Sequence, residues 1–202
     1  MAKAAASKLD LSGVRDRILA SARTEFADHG LGAASVHRIA ERAGATAAMI
    51  NYYYGGKLAL YETVIDEAQA RQLACLAAAV TGGERAGLAS RLAVAYFDFL
   101  AQERELQRIL LREVLDAREG GHEHAVRSVA PLRALLEAHV PSRDRDRTVQ
   151  FAISLFGAVA GYFLYEPVFT NALGEDALGP RRLAARRRHV LELAAMIEEA
   201  MG

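Results

Sequence analysis

Residues Ser35 to Tyr61 read SVHRIAERAGATAAMINYYYGGKLALY. The segment predicts two short helices joined by a tight glycine turn and followed at once by the start of a longer helix. That is a helix-turn-helix, and it points to DNA. Ser35 can cap a first helix whose inward side carries Val36, Ile39, Ala40 and Ala43 at three- and four-residue spacing. Gly44 stops it, because glycine tolerates a positive φ, and small Ala40 helps the two helices cross closely. Thr46 can cap the second helix, in which Ile50 faces inward. Ala47, Ala48, Met49, Asn51 and Tyr53 then lie on the faces that a recognition helix offers to the major groove. Gly55 and Gly56 end this helix and Lys57 opens the next. The third residues after the two caps are Arg38 and Met49, so neither cap is completed into a capping box.

Each residue type suggests a role at such an interface. Lys57, at a helix start, is the best phosphate candidate, because its charge and the exposed amides beside it can meet the same oxygen. Ser35, Arg38, Thr46 and Tyr52 are helpers. Asn51 suits an adenine edge, Ala47, Ala48 and Met49 suit thymine methyls, and Tyr53 can reach a phosphate or a base. The recognition helix has no Arg or Lys and therefore no bidentate guanine contact, which favours readout by shape and methyl groups at A·T-leaning sites. One of the three adjacent tyrosines must pack inward, and Tyr54 is the choice.

Over Val14 to Tyr61 the chain resembles the TetR family of bacterial transcriptional regulators. The resemblance is carried by ILASARTEFADHGLGAASVHRIAERAG and then INYYYGGKLALY, about a quarter of the sequence. Where the family usually has Phe this chain has Tyr54, and where it usually has a hydroxyl or charged residue beside the turn this chain has Gly56. Beyond Tyr61 only length and helical character agree. The resemblance implies a three-helix DNA-binding segment followed by a helical domain with a small-molecule cavity among its central helices.

Composition fits without demanding this. The 202 residues are 52% hydrophobic and 25% charged, enough for a sizeable core in one or two domains. Lys plus Arg balance Asp plus Glu at 25 each, so no overall affinity for polyanions is implied. Residues 1–57 nevertheless hold eight basic against five acidic side chains, about +3, which leaves about −3 for the rest. A single cysteine, Cys75, excludes an intrachain disulfide, suits a reducing cytoplasm and is expected to pack in the core. Residues 1–11 lack an apolar run of signal-peptide length and read as a disordered leader or basic arm. FAISLFGAVAGYFLY, Phe151 to Tyr165, is shorter than the ~20 residues a bilayer span requires and reads as a buried helix.

The remaining pattern is helical. A first helix from near Ser12 to His29 carries Val14, Ile18, Ala22 and Phe26, with Gly30 as its stop. A long helix after Lys57 carries Leu58, Tyr61, Val64, Ile65, Ala68 and Leu76 and ends at Gly82 and Gly83. One further helix holds Leu88, Leu92, Tyr96, Phe97 and Leu100, and another holds Leu106, Ile109, Leu110 and Val114 before a loop at Gly120 and Gly121. A segment from His124 to Val140 is interrupted by Pro131. The last two helices are expected from Arg143 to about Tyr165 and from Pro180 to Met201, with a loop containing Pro167, Asn171, Gly174 and Gly179 between them. The first carries a stripe of Val149, Ala152, Phe156, Val159 and Phe163 and a small-residue step at Gly157 and Gly161. The second carries Leu183, Val190, Ala194, Ile197 and Met201. Two such helices from each of two chains would form a four-helix bundle, and operator symmetry favours that homodimer over packing inside one monomer.

An effector site would draw on Tyr96, Phe97, Phe99, Phe151, Phe156, Tyr162, Phe163 and Tyr165, which suit a largely apolar small molecule. Arg108 and Arg112, one turn apart, could clamp an acidic group, although pairing with Glu105 or Glu113 competes with that role. The run Arg181, Arg182, Arg186, Arg187 and Arg188 reads as a solvated face. Glu119 and His122 have a metal-ligand spacing, but Gly120 and Gly121 break the helix that would aim them and no second copy exists. No Walker, GxGxxG, GxSxG or CxxC motif is present, so no enzyme, metal or cofactor is expected. The sequence thus predicts an all-α protein with a helix-turn-helix domain at 1–56 and an effector-binding and dimerisation domain at 57–202. Its expected partners are operator DNA, a second copy of itself and a small molecule, without a membrane. A DNA-binding architectural protein with no effector, and more remotely a helical-bundle metalloenzyme, are the alternatives.

Overall fold

In a computed structural model, which describes residues 2–83, 87–116 and 145–201, the described residues are helical with no strand. The helices are α1 (Ala2–Ala33), α2 (Val36–Ala43), α3 (Ala47–Tyr54), α4 (Lys57–Thr81), α5 (Leu88–Gln102), α6 (Arg104–Asp116), α7 (Arg145–Leu164), α8 (Glu166–Leu173) and α9 (Pro180–Met201). They divide between two compact units, Met1–Ala70 with Glu105–Arg118, and Arg71–Arg104 with Glu119–Gly202. The first packing unit is therefore larger than the helix-turn-helix segment of the motif, since it also takes the first part of α4 and most of α6.

The first unit is organised around the α1 stripe. Val14, Ile18, Ala22 and Phe26 are buried together with Ile39, Ala40 and Ala43 of α2, Ile50 and Tyr54 of α3, Leu60, Tyr61, Val64 and Ile65 of α4, and Ile109 of α6. Phe26 meets Tyr61 edge to face at 5.0 Å. Burying each such Ile, Leu or Phe stabilises the unit by about 1.5–3 kcal/mol relative to exposure. Leu58, placed in the α4 stripe by the sequence, is instead 59% exposed. One turn is too short to bring both Leu58 and Leu60 inward, and Leu60 takes the core position. Gly30 interrupts α1 as expected, with φ 66° and ψ 178°. The backbone of residues 2–11 continues α1, whereas the sequence reading began the helix near Ser12. Polar contacts join α6 to α1: Thr24 donates to Glu105 at 2.8 Å and Arg108 pairs with Asp28 at 3.1 Å.

In the second unit α9 packs on α5 and both pack on α7. Tyr96 stacks at a tilt on Phe156 (4.6 Å) and Phe97 on Phe163 (5.3 Å). Glu198 of α9 closes the α5 start by accepting from the backbone of Ala89 (2.7 Å) and Ser90 (3.2 Å), so a carboxylate meets the positive end of a helix dipole. The arginine run is only partly a solvated face. Arg187 grips Asp98 through two hydrogen bonds of 2.8 and 2.9 Å, Arg186 donates to the Ala158 carbonyl at 2.6 Å and covers the Tyr162 ring, and Arg182 pairs with Glu175. Arg181 and Arg188 remain exposed.

Two expectations for this unit are corrected. The segment containing Pro167 and Asn171 is helix α8, because proline is tolerated in a first turn, where its missing N–H has no partner to lose, and Gly174 ends the helix at φ 66°. Within the stripes assigned to a dimer contact, Val159, Val190 and Ala194 are fully buried in the single chain. They face the α5–α7–α9 core and form no surface. The segment His124–Val140, with Pro131 and the Glu119–His122 pair, lies outside the described residues. No single described helix is long and apolar enough to cross a membrane.

Candidate nucleic-acid interface

Local chemistry closes both helices of the turn as the sequence requires. Ser35 Oγ accepts from the Arg38 amide at 3.4 Å and Thr46 Oγ1 from the Met49 amide at 3.3 Å, which satisfies one otherwise unpaired N–H at each helix start. At the end of α2, Gly44 adopts φ 61° and its N–H meets the Glu41 carbonyl (3.1 Å), while the Ala45 N–H meets that of Ala40 (2.9 Å). This pair of bonds is a Schellman ending, and it reverses the chain into α3 within three residues. Arg17 of α1 supplies a further bond from Nε to the Ala43 carbonyl at 3.0 Å.

On α3 the inward and outward faces separate cleanly. Ile50 is fully buried, and Tyr54 is buried with its hydroxyl donating to the Arg15 carbonyl at 2.8 Å. Burial pushes the Tyr54 phenol above its ordinary value. Ala48, Asn51, Tyr52 and the cap Thr46 are exposed, Tyr52 by 83%, and Ala47 is half-buried. Met49 and Tyr53 depart from expectation, since both pack partly against the hydrophobic core. On an eight-residue helix with only two buried positions, flanking side chains must cover the sides of the contact. The outward side of α3 thus carries Ala48, Asn51 and Tyr52 with half-buried Ala47, and the Tyr53 ring is set edge-on to Tyr52 at 5.1 Å.

Two cations lie on the helices either side of α3 in the chain. Lys57 opens α4 and donates from Nζ to the Gly32 carbonyl at 3.1 Å, an exposed bond that a phosphate oxygen can replace. Arg38 is half-exposed and held from behind by Glu25. Sequence reasoning missed Glu25, although a signal was there. It lies three residues after Ala22 and next to Phe26 on the apolar stripe of α1, where a carboxylate needs a partner. The hydrogen bond from Arg38, with help from the Ser35 N–H, holds the Glu25 carboxyl below its ordinary value against the opposing effect of burial.

The second unit holds a cavity of about 350 Å³ lined by Arg71, Cys75, Ala95, Asp98, Phe99, Gln102 and Glu103. Of the residues expected at an effector site only Phe99 lines it. Tyr96, Phe97 and Phe163 are core, Phe156 and Tyr162 are half-buried in ring contacts, Phe151 lies under the Arg147 guanidinium, and Tyr165 is 56% exposed. Arg108 is paired with Asp28, and Arg112 lies against Gly30, both within the first unit. The lining is more polar than the aromatic set suggested, because the faces of α4 and α5 that meet there carry an Arg71–Glu103 ion pair and Asp98. Cys75 donates to the Ala95 carbonyl at 3.4 Å, and burial raises its thiol pKa, so it is no activated nucleophile. Burial also pushes the Tyr96 phenol up to about 12. No group of three or more His, Cys, Asp or Glu side chains among the described residues is placed to hold a metal ion.

Residues 18–64 match the family model described as bacterial regulatory proteins, tetR family. Solved structures resemble the chain over most of its length. A TetR-like transcriptional regulator from Rhodococcus sp. RHA1 has a TM-score of 0.66 at 21% identity, covering 90% of this chain and 93% of that one. A Streptomyces coelicolor protein described as a transcriptional regulator gives 0.66 at 23% identity, covering 91% and 97%. The fatty acid degradation regulator FadR from Bacillus halodurans gives 0.65 at 18% identity, covering 90% and 94%. At these identities the likeness is one of fold. No curated protein matches the chain.

Proposed function

The chain belongs to the tetR family of bacterial regulatory proteins through its residues 18–64, and from that premise we propose that it is a ligand-responsive transcriptional repressor. In this reading a homodimer binds a pseudopalindromic operator and leaves it when a small molecule occupies the second unit. The observation that carries the reading is the α2–α3 surface: both helix starts are capped, the turn is closed by Gly44, Ile50 is buried, and Ala48, Asn51 and Tyr52 stand exposed, with Arg38 on α2 and Lys57 at the start of α4. A recognition helix needs that combination, because base edges can be read only from a rigid support.

The open pocket, with its mixed polar and apolar lining, supports an effector that carries hydrogen-bonding or charged groups as well as an apolar part. α4 is one helix that bears Lys57 at its start and Arg71 and Cys75 at the cavity, so an occupant that displaces α4 would alter the phosphate contact. Dimerisation is supported by the part of α7 and α9 that the single chain leaves uncovered: Val149, Ile153, Gly157 and Met196 are exposed, and Ala152, Phe156, Gly161, Leu183 and Ile197 are partly so.

Selection of bound duplexes from a random pool tests the reading. It should enrich two half-sites related by two-fold symmetry, with centres spaced near one DNA turn, ~34 Å. Lys57→Ala should weaken every duplex alike, whereas Asn51→Ala should relax preference at one base pair. A pool that shows no enrichment, together with affinity indifferent to salt, would refute DNA-directed repression.

A further inference from the structure

Glu25 is a fully buried carboxylate on α1 that the surface described above does not itself expose. Its Oε1 accepts three hydrogen bonds: from the Ser35 backbone at 2.9 Å, from Arg38 Nε at 2.8 Å and from Arg38 Nη2 at 2.5 Å. Arg38 Nη2 also donates to the Ala33 carbonyl at 3.2 Å. Oε2 accepts no hydrogen bond and lies 3.9 Å from His29 Nε2. Arg38 occupies the first turn of α2, and half of its side chain remains accessible.

We propose that Glu25 is a positioning residue for DNA binding, which clamps one edge of the Arg38 guanidinium and leaves the rest of it set to meet a backbone phosphate. The proposal rests on the DNA-binding reading above. A guanidinium is a planar fork of five N–H donors, so fixing Nε and Nη2 fixes the direction of the Nη1 pair as well. An arginine free on the surface must give up rotamer entropy when it meets a phosphate, and one already clamped has lost most of it. Capping alone does not explain the carboxylate, because Ser35 Oγ already serves the first turn of α2. An apolar side chain would also suit the α1 stripe at lower desolvation cost.

The test is fluorescence anisotropy of a labelled mixed-sequence DNA duplex over a salt series, for wild type, Arg38→Ala, Arg38→Lys, Glu25→Leu and the Glu25→Leu/Arg38→Ala pair. Loss of each Arg38 phosphate contact should reduce the steepness of log Kd against log salt by about 0.9. Glu25→Leu should produce the same reduction although Arg38 keeps its charge, and the double variant should lose nothing more. Arg38→Lys, a cation without the planar fork, should behave as Arg38→Ala. Wild-type steepness in Glu25→Leu, or a loss that adds to that of Arg38→Ala, overturns the proposal. Circular dichroism monitors folding. Should Glu25→Leu fail to fold, the lysine variant decides, since wild-type steepness in Arg38→Lys would mean that orientation is irrelevant. A wild type with no salt dependence refutes the DNA-binding reading and the clamp together, whereas a steep wild type with an unaffected Glu25→Leu refutes the clamp alone.

Discussion

A carboxylate on an apolar helix stripe ties stability to pH. Glu25 sits in register with Val14, Ile18 and Ala22, and it stays ionised there because Arg38 and the Ser35 N–H bind the charged form more strongly than burial penalises it. His29, with Nε2 3.9 Å from Oε2, contributes the smallest effect in the same direction. The folded carboxyl therefore titrates below the ordinary value of 4.5, so its stabilising contribution is complete above 4.5 and is lost as pH falls through the lower folded value. Glu25→Gln cannot ionise and lacks that component. In urea unfolding the stability gap between wild type and Glu25→Gln should be constant above pH 4.5 and narrow on further acidification. A gap that does not change with pH would show that the charge of Glu25 contributes nothing. The sequence betrays this residue only as an anomaly in a stripe. Its partner on α2, ten and more residues away, becomes evident once the turn has folded.

Individual helices were legible wherever apolar spacing and end signals agreed. Ser35, Gly44, Thr46 and Gly55 marked α2 and α3 to the residue, because each places a specific backbone demand on a specific side chain. α8 reads as a loop from sequence, because Pro167 breaks the pattern and spacing alone does not show that it falls in a first turn. The glycines at Gly44 and Gly30 give a graded test of this reasoning. At Gly44, φ is 61° and an added Cβ would meet nothing within 4 Å, so Gly44→Ala should cost only the strain of the left-handed conformation, about 1–2 kcal/mol. At Gly30, φ is 66° and the added Cβ would come within 3.0 Å of Arg112 Cδ and Nη1. Gly30→Ala should therefore cost more than Gly44→Ala even if Arg112 swings aside, because φ 66° with ψ 178° is a conformation open essentially to glycine alone. Thermal unfolding of the two variants measures the order, and equal shifts would mean that the backbone at residue 30 relaxes as well as Arg112.

The whole molecule raises a question that periodicity cannot answer: which side of an apolar helix faces its own chain. Spacing assigns Val159 on α7 and Val190 and Ala194 on α9 to stripes that operator symmetry favours for a partner over packing inside one monomer. The structure gives those three to the core and leaves Val149 and Ile153 of α7 and Met196 of α9 in solvent, at 46%, 60% and 64% exposure. The cavity was illegible for a related reason, since its lining arises where faces of α4 and α5 meet and no local motif encodes that pairing. The division of α7 makes opposite predictions for two substitutions two turns apart or less. Ile153→Glu places a charge on the exposed face; it should leave helicity and thermal stability of the single chain near wild type while shifting sedimentation from the proposed dimer to monomer. Val159→Glu buries an unpaired charge among α5, α7 and α9 and should unfold the second unit whatever the protein concentration. Monomeric Ile153→Glu should also bind an isolated half-site about as well as one wild-type protomer does, and lose the added affinity of two linked half-sites. A dimeric Ile153→Glu would move the interface away from this face of α7.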